Sequence, residues 1–149
     1  MTRWNRRLLV SAGLLALTRM ACSAAADVPA FFHNEGCGCC HGWAEHMARA
    51  GLPVKLVATP DLSGEYARHG VPHQFESCHV GKIAGYVISG HVPPDDIFRL
   101  LDSRPAAAGL IVPGMPVGSP GMEYDGQTEP YDVLLLDRDG STSVFSRHS

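Results

Sequence analysis

From Val28 onward, short apolar runs alternate with amphipathic stretches, and turn residues separate them. "VPAFFHN", closed by Asn34-Glu35-Gly36, predicts a short buried strand ending in a loop. In "HGWAEHMARAG" the apolar positions Trp43, Met47 and Ala50 are spaced by four and three, and Gly51 supplies a stop, which predicts a helix with one apolar face. Counting back seven positions from Met47 along that face reaches Cys40, so the helix begins at the cysteines with Cys40 turned inward. "PVKLVAT" reads as a second strand and "PDLSGEYARHG" as a short helix that Gly70 ends. "HVGKI", Ala84-Gly85 and "YVISGHV" predict a hairpin, after which Pro93-Pro94 open the helix "DDIFRLLDSR". "PAAAGLIVPGMPVGSPGMEYDGQTEP" is rich in Pro and Gly without a period and is expected to be an ordered loop or a mobile flap. "YDVLLLDRDGSTSVF" closes the chain as a hairpin around Asp139-Gly140.

That order predicts an α/β chain with a thioredoxin-like βαβαββα core, followed by a Gly/Pro-rich loop and a β-hairpin. The cysteine loop falls between the first strand and the first helix. At 149 residues the chain is long enough for one modest domain. Residues 1–26 read as a signal peptide: Arg3, Arg6 and Arg7, then an apolar run from Leu8 to Leu17, then Ala24-Ala25-Ala26 before Asp27. The apolar run falls short of the roughly 18 residues of a spanning helix, and Arg19 interrupts its continuation. Cys22 offers a lipid-bearing cysteine as an alternative, but Arg19 stands where an apolar residue normally precedes such a site. Arg6-Arg7 followed by Leu8-Leu9-Val10 admits twin-arginine export as well as the Sec route.

The domain is therefore expected to span residues 27–149, with no membrane span once the leader is removed. Loss of the leader's four arginines leaves 8 basic side chains against 15 acidic ones, a net charge of −7 with histidines neutral. Such a surface repels nucleic acid and anionic lipid, which removes nucleic acid as a partner.

Charge leaves the chemistry to the cysteines. Cys37, Cys39 and Cys40 fall inside four positions, and Cys78 follows in "FESCHVGKI". In an oxidising compartment four such thiols either pair as disulfides or are protected by a metal. At a helix start, free backbone N–H groups and the helix dipole favour the thiolate, which is both nucleophile and metal ligand. Cys37 and Cys40 form a Cys-x-x-Cys pair at the thioredoxin position, which reads as a dithiol–disulfide oxidoreductase with those two residues catalytic. Cys39 argues against it, because a third thiolate there attacks the disulfide or a mixed-disulfide intermediate.

Metal binding explains the extra thiol. A structural zinc site without activity is a third reading, but zinc sites usually join two separated ligand pairs. Adjacent helical residues such as Cys39 and Cys40 point about 100° apart. Thiolates bridging a small cluster of soft ions are reached more easily, and copper(I) fits an exported compartment best. Cys78 falls just before the third strand, where the loop of such a fold faces the helix start. It is read as sharing the site; the other reading is a buried small side chain or a disulfide partner.

Other soft or borderline donors surround these thiols. Met47 shares a helix face with Trp43 and is expected in the core. His46 lies about 240° around the helix from Cys40, which suits a surface role. His41 either binds a second ion or faces solvent. Strand alternation sends His79 to the face opposite the site if Cys78 points at it. Met115 and Met122, in the Gly/Pro segment, are either copper-transfer contacts or loop packing.

The segments "CGCC", "WAEHM", "SCHV", "GYVISGHVPPDDI", "GLIVPGMPVGSPGME" and "YDVLLLDRDG" together resemble the CopG-type proteins, a family of small exported metal-binding proteins long classed as a domain of unknown function. The resemblance covers nearly the whole chain after residue 26. It implies a thioredoxin-like fold, a copper-binding Cys-x-Cys-Cys site, association with copper-resistance systems and a role in copper(I)/copper(II) redox handling. By position it also implies that Cys37, Cys39, Cys40 and Cys78 are the copper ligands. His41 stands where many relatives carry glycine. The expectation is a periplasmic protein holding copper(I) in a thiolate cluster, with copper ions and other copper-resistance proteins as partners. In it Cys37 and Cys40 ligate or reduce the ion, and Cys39 and Cys78 bridge or close the cluster. The alternative is a thioredoxin-like oxidoreductase acting on protein substrates.

Overall fold

The computed structural model describes residues 27–149, so the expected leader, with Cys22 and Arg6-Arg7, lies outside the described residues. The elements are β1 (Ala30–His33), α1 (Gly38–Arg49), β2 (Lys55–Ala58), α2 (Leu62–His69), a 3-10 turn (His73–Phe75), β3 (His79–Ile83), β4 (Tyr86–Ser89), α3 (Pro94–Ser103), β5 (Gly109–Ile111), β6 (Tyr131–Leu136) and β7 (Thr142–His148). All seven strands form one sheet in the order β2-β1-β3-β4-β5-β6-β7. β1 runs parallel to β2 and antiparallel to β3, β3 antiparallel to β4, β4 parallel to β5, and the last two pairs are antiparallel.

Strand alternation sends side chains to two cores. Trp43 and Met47 of α1 and Ile97 and Leu100 of α3 pack on one face of the sheet with Phe31, Ile83, Ile88, Leu110 and Val133. Leu62 and Tyr66 of α2 pack on the other with Val80, Val87, Ile111 and Leu136. Cys40, Trp43 and Met47 are buried along one stripe of α1, as their spacing predicts. Trp43 Nε1 donates to the Val92 carbonyl across 2.9 Å, which satisfies the one polar atom of that side chain. The β3–β4 turn has positive φ at both Ala84 and Gly85, the geometry of a two-residue hairpin.

The segment expected to be wholly loop contributes a strand. β5 sits between β4 and β6, and all three of its residues are buried. A three-residue strand buried on both faces shows no alternation, and prolines and glycines flank it, so periodicity cannot reveal it. The β6–β7 hairpin turns at Asp137–Gly140 as expected. Asp96 of α3, buried, accepts from His148 Nε2 (2.7 Å) and from Arg99 (2.9 Å), and so fastens β7 to α3. No helix among the described residues is long and apolar enough to cross a membrane.

Candidate metal centre

The β1–α1 loop and the first turn of α1 carry three of the four thiol positions. Cys37 is the N-cap and makes no side-chain capping bond; Cys39 and Cys40 follow in the first turn. Cys40 faces inward and is fully buried, whereas Cys37 and Cys39 are half-buried. Cys78 immediately precedes β3, whose first residue, His79, pairs with His33 at the end of β1. The four sulfurs lie within 4.8 Å of one another. Cys37 and Cys40 are joined as a disulfide with Cα atoms 5.4 Å apart, and Cys39 and Cys78 are free. Cys39 Sγ lies 3.4 Å from Cys37 Sγ and 3.7 Å from Cys78 Sγ, and Cys40 Sγ lies 3.4 Å from the Cys78 carbonyl oxygen. Four cysteine sulfurs are thus gathered in one place, two of them joined to each other.

The sulfurs open onto a cleft of about 450 Å³ lined by Cys37, Cys39, Cys78, Glu35, Glu76 and Met115, among others. The two carboxylates give its mouth the charge that draws cations. Burial, reinforced by the neighbouring Cys39, pushes the Cys78 thiol up to about 12, so a metal bound there at neutral pH must displace a proton.

Tyr66, buried on α2, holds Cys78 in place. Its hydroxyl accepts from the Ser77 N–H and donates to the His79 carbonyl, each across 2.9 Å, gripping the backbone on both sides of that cysteine. Burial raises the phenol's pKa, so it remains a donor.

The β5–β6 loop covers the site. Ser77 Oγ donates to the Gly114 carbonyl, and Glu123 pairs with His46 of α1. Gly121, at φ +86°, lies flush on α1: a Cβ there would stand 2.4 Å from Trp43 N and 2.5 Å from the Cys39 carbonyl oxygen. Burial works against the Glu123 carboxylate, but the Gly121 N–H and His46 outweigh it and hold its pKa low.

The other expected donors separate. Met47 is core, and His46 is taken up by Glu123. His41 is exposed, with its ring edge-on to His33 at 5.6 Å, away from the sulfurs. Met115 is half exposed on the rim of the cleft, whereas Met122 lies in the Gly118–Met122 turn and does not line it. His79 departs from expectation. Alternation begins only with the strand, and Cys78 precedes β3, so the two side chains do not diverge: His79 Nδ1 lies 3.3 Å from Cys78 Sγ. The ring is fully buried against Trp43, at 4.3 Å between centroids, and burial lowers its pKa to about 3, with His91 adding to the effect.

His91, which the periodicity analysis passes over, is also fully buried, with Nε2 2.9 Å from Cys78 Sγ. Its signal is a lone imidazole in "YVISGHV", between the strand that ends at Ser89 and the buried Val92.

Comparison with known proteins places this geometry. The model of a family of unknown function, DUF411, matches residues 75–122. Two solved forms of the copper resistance protein CopG resemble the chain over most of its length. Form 1 is 40% identical with a TM-score of 0.76, covering 81% of this chain and 96% of that one. Form 2 is 39% identical with a TM-score of 0.76, covering 83% and 100% respectively. No curated protein sequence matches the chain.

Proposed function

The chain belongs to the CopG family, and from that premise we propose that it is an exported, periplasmic copper-binding protein that holds copper(I) on Cys37, Cys39, Cys40 and Cys78 and serves copper resistance. The observation that carries this reading is the convergence of four sulfurs within 4.8 Å beneath an acidic cleft. Thiolates select soft ions, and four of them bridging a small group satisfy copper(I) without other donors. The strand order β2-β1-β3-β4, with its parallel and antiparallel pairs, supports a thioredoxin-like core, and residues 27–149 are the domain left after removal of a leader.

The Cys37–Cys40 pair adds redox work to holding. Two thiols giving one disulfide release two electrons and two protons, enough to reduce two copper(II) ions to copper(I). The same step withdraws two ligands, so oxidation of the pair also loosens the cluster. Partners in that cycle are copper ions and other copper-resistance proteins.

Anaerobic loading of the reduced protein with copper(I), followed by metal analysis and X-ray absorption, tests the proposal. Sulfur-only scattering with copper–copper neighbours is expected, and Cys39→Ser loses copper stoichiometry. Protein that takes up no copper, or whose sulfurs stay as two disulfides unmoved by cuprous salts, sinks it.

A second reading has its own observation: a disulfide at a helix start beside an open cleft suits a dithiol–disulfide oxidoreductase acting on proteins. Cys39, 3.4 Å from Cys37, would intercept its mixed disulfides. On that reading Cys39→Ser retains or improves insulin reduction.

A further inference from the structure

Cys39 stands between the disulfide and the remaining thiol. Its Sγ lies 3.4 Å from Cys37 Sγ and 3.7 Å from Cys78 Sγ, while Cys37 is bonded to Cys40. Reacting atoms held about 3–3.5 Å apart are at the distance from which attack proceeds. Cys37, Cys39 and Cys78 line the same open cleft, so the Cys39 side chain has room to turn from one neighbour to the other. Cys40 is fully buried, which leaves Cys37 as the end of the disulfide that Cys39 meets. The departing sulfur is provided for: Cys40 Sγ sits 3.4 Å from the Cys78 carbonyl oxygen, which accepts its S–H once the thiol is released. Cys78 is oriented as well. His91 Nδ1 donates to the Pro120 carbonyl across 2.8 Å, and a carbonyl only accepts, so His91 Nε2 carries a lone pair. Cys78 therefore donates its S–H to that nitrogen across 2.9 Å, and its sulfur lone pairs are left for Cys39.

We propose that the chain carries out an internal disulfide exchange, in which Cys39 passes the bond from Cys37–Cys40 to Cys39–Cys78. In the first step Cys39 Sγ attacks Cys37 Sγ. The Cys37–Cys40 bond breaks, a Cys37–Cys39 bond forms, and the proton lost by Cys39 goes to Cys40. In the second step Cys78 Sγ attacks Cys39 Sγ. The Cys37–Cys39 bond breaks, a Cys39–Cys78 bond forms, and the proton lost by Cys78 goes to Cys37. One disulfide and two thiols stand on both sides, so no oxidant or reductant is consumed. What changes is which sulfurs are free. The exchange returns Cys37 and Cys40 to the dithiol form at the start of α1, and leaves the oxidised pair between α1 and the residue before β3. The exchange itself needs no metal; its consequence for electron count rests on the copper reading above. A restored Cys37–Cys40 dithiol reduces a second pair of copper(II) ions. Four thiols going to two disulfides release four electrons and four protons, so one chain converts four copper(II) ions before an outside thiol has to restore it. The sulfur that would spoil a simple Cys-x-x-Cys enzyme is thus the one that carries the bond.

The full chain carrying Cys22→Ser, free of metal, tests the exchange. Its Cys37–Cys40 form, isolated in acid, is returned to neutral pH with a chelator and no added thiol, then quenched in acid, alkylated and peptide-mapped over time. At least about a tenth of the chains should come to carry Cys39–Cys78, with two free thiols per chain throughout and a rate independent of protein concentration. In Cys39→Ser the bond should stay at Cys37–Cys40. A bond that never leaves Cys37–Cys40 in the parent, a rate that rises with concentration, or a bond that reaches Cys78 in Cys39→Ser overturns the proposal. If Cys39→Ser fails to fold, the map of the parent protein decides alone. The electron count is read separately: the fully reduced protein, given excess copper(II) and a copper(I)-specific dye, should yield four copper(I) ions per chain. Redistribution without copper reduction sinks the copper reading only, and copper reduction without redistribution sinks the exchange only.

Discussion

Tyr66→Phe isolates one hydroxyl that holds the fourth thiol in place. The ring stays and fills the same space, so no cavity forms, and two hydrogen bonds of 2.9 Å are lost. They are unequal. The His79 carbonyl keeps a second donor, the Gly90 N–H at 2.9 Å, and losing one of its two bonds amounts to about 1 kcal/mol. The Ser77 N–H has no other acceptor among the described residues, and a stranded donor is worth about 1–3 kcal/mol; Ser77 is half-buried, so the low end applies. The total is about 2 kcal/mol, roughly a thirtyfold shift in the folding equilibrium. In urea melts of the metal-free protein the midpoint should fall by about 1–2 M with an unchanged slope. The phenol is protonated throughout the neutral range, so the loss should be the same at pH 6 and pH 8. Alkylation of Cys78 should also accelerate relative to Cys39, which a general loss of stability would not produce. A change below about 0.5 kcal/mol, or an unaltered ratio of the two alkylation rates, refutes the claim that Tyr66 positions Cys78.

Gly121→Ala should destabilise by roughly 2–4 kcal/mol, combining overpacking with a left-handed φ, because the added Cβ meets backbone atoms of α1 that cannot yield. A melt within about 0.5 kcal/mol of wild type would show that the loop does not bear on α1. Met115→Ala, half exposed on the cleft rim, should leave stability within about 0.5 kcal/mol and slow copper(I) uptake in stopped-flow mixing; an unchanged rate assigns Met115 to loop packing. Stability of the metal-free protein should fall as the pH drops below about 6.5. The unfolded chain then takes up a proton that buried His79 refuses until about pH 3, giving a slope of up to about 1.4 kcal/mol per pH unit. His79→Gln should flatten the limb between pH 6.5 and 5, and an unchanged limb there removes His79 as its cause.

The sequence was most informative where one physical rule acts alone. The spacing of Cys40, Trp43 and Met47 is set by a single helix face, and Ala84-Gly85 by a single turn geometry, and both elements stand where expected. The gathering of four cysteines was legible because two of the three β1–α1 thiols lie at the start of a helix and the fourth precedes a strand that pairs with β1. β5 was not legible, since burial on both faces erases alternation and three residues are too few for length to decide. His79 was misplaced by extending the period of β3 one residue beyond its end. His91 and Tyr66 were missed for a shared reason: each acts through a backbone group of a segment remote in sequence. Pro120 is 29 positions from His91, and Ser77 is 11 from Tyr66.

The same remoteness explains why the site needs the strands beyond the βαβαββα core. The covering loop departs from β5 and returns at β6, both in the interior of the sheet order, so its ends cannot fray with an edge. Between those anchors the loop is seated by backbone on backbone: Gly121 against Gly42, with 2.9 Å between the Cα of Gly121 and a Cβ built on Gly42. Side-chain packing would tolerate a shift of a rotamer, whereas two backbones in contact admit almost none. The Pro120 carbonyl is therefore delivered to His91, and Met115 to the rim of the cleft, by glycines that bind nothing themselves. Donor geometry at Cys78 is fixed from two sides, by the Tyr66 hydroxyl of α2 and by His91 under this loop, so either support can be removed and its contribution read while all four sulfurs remain.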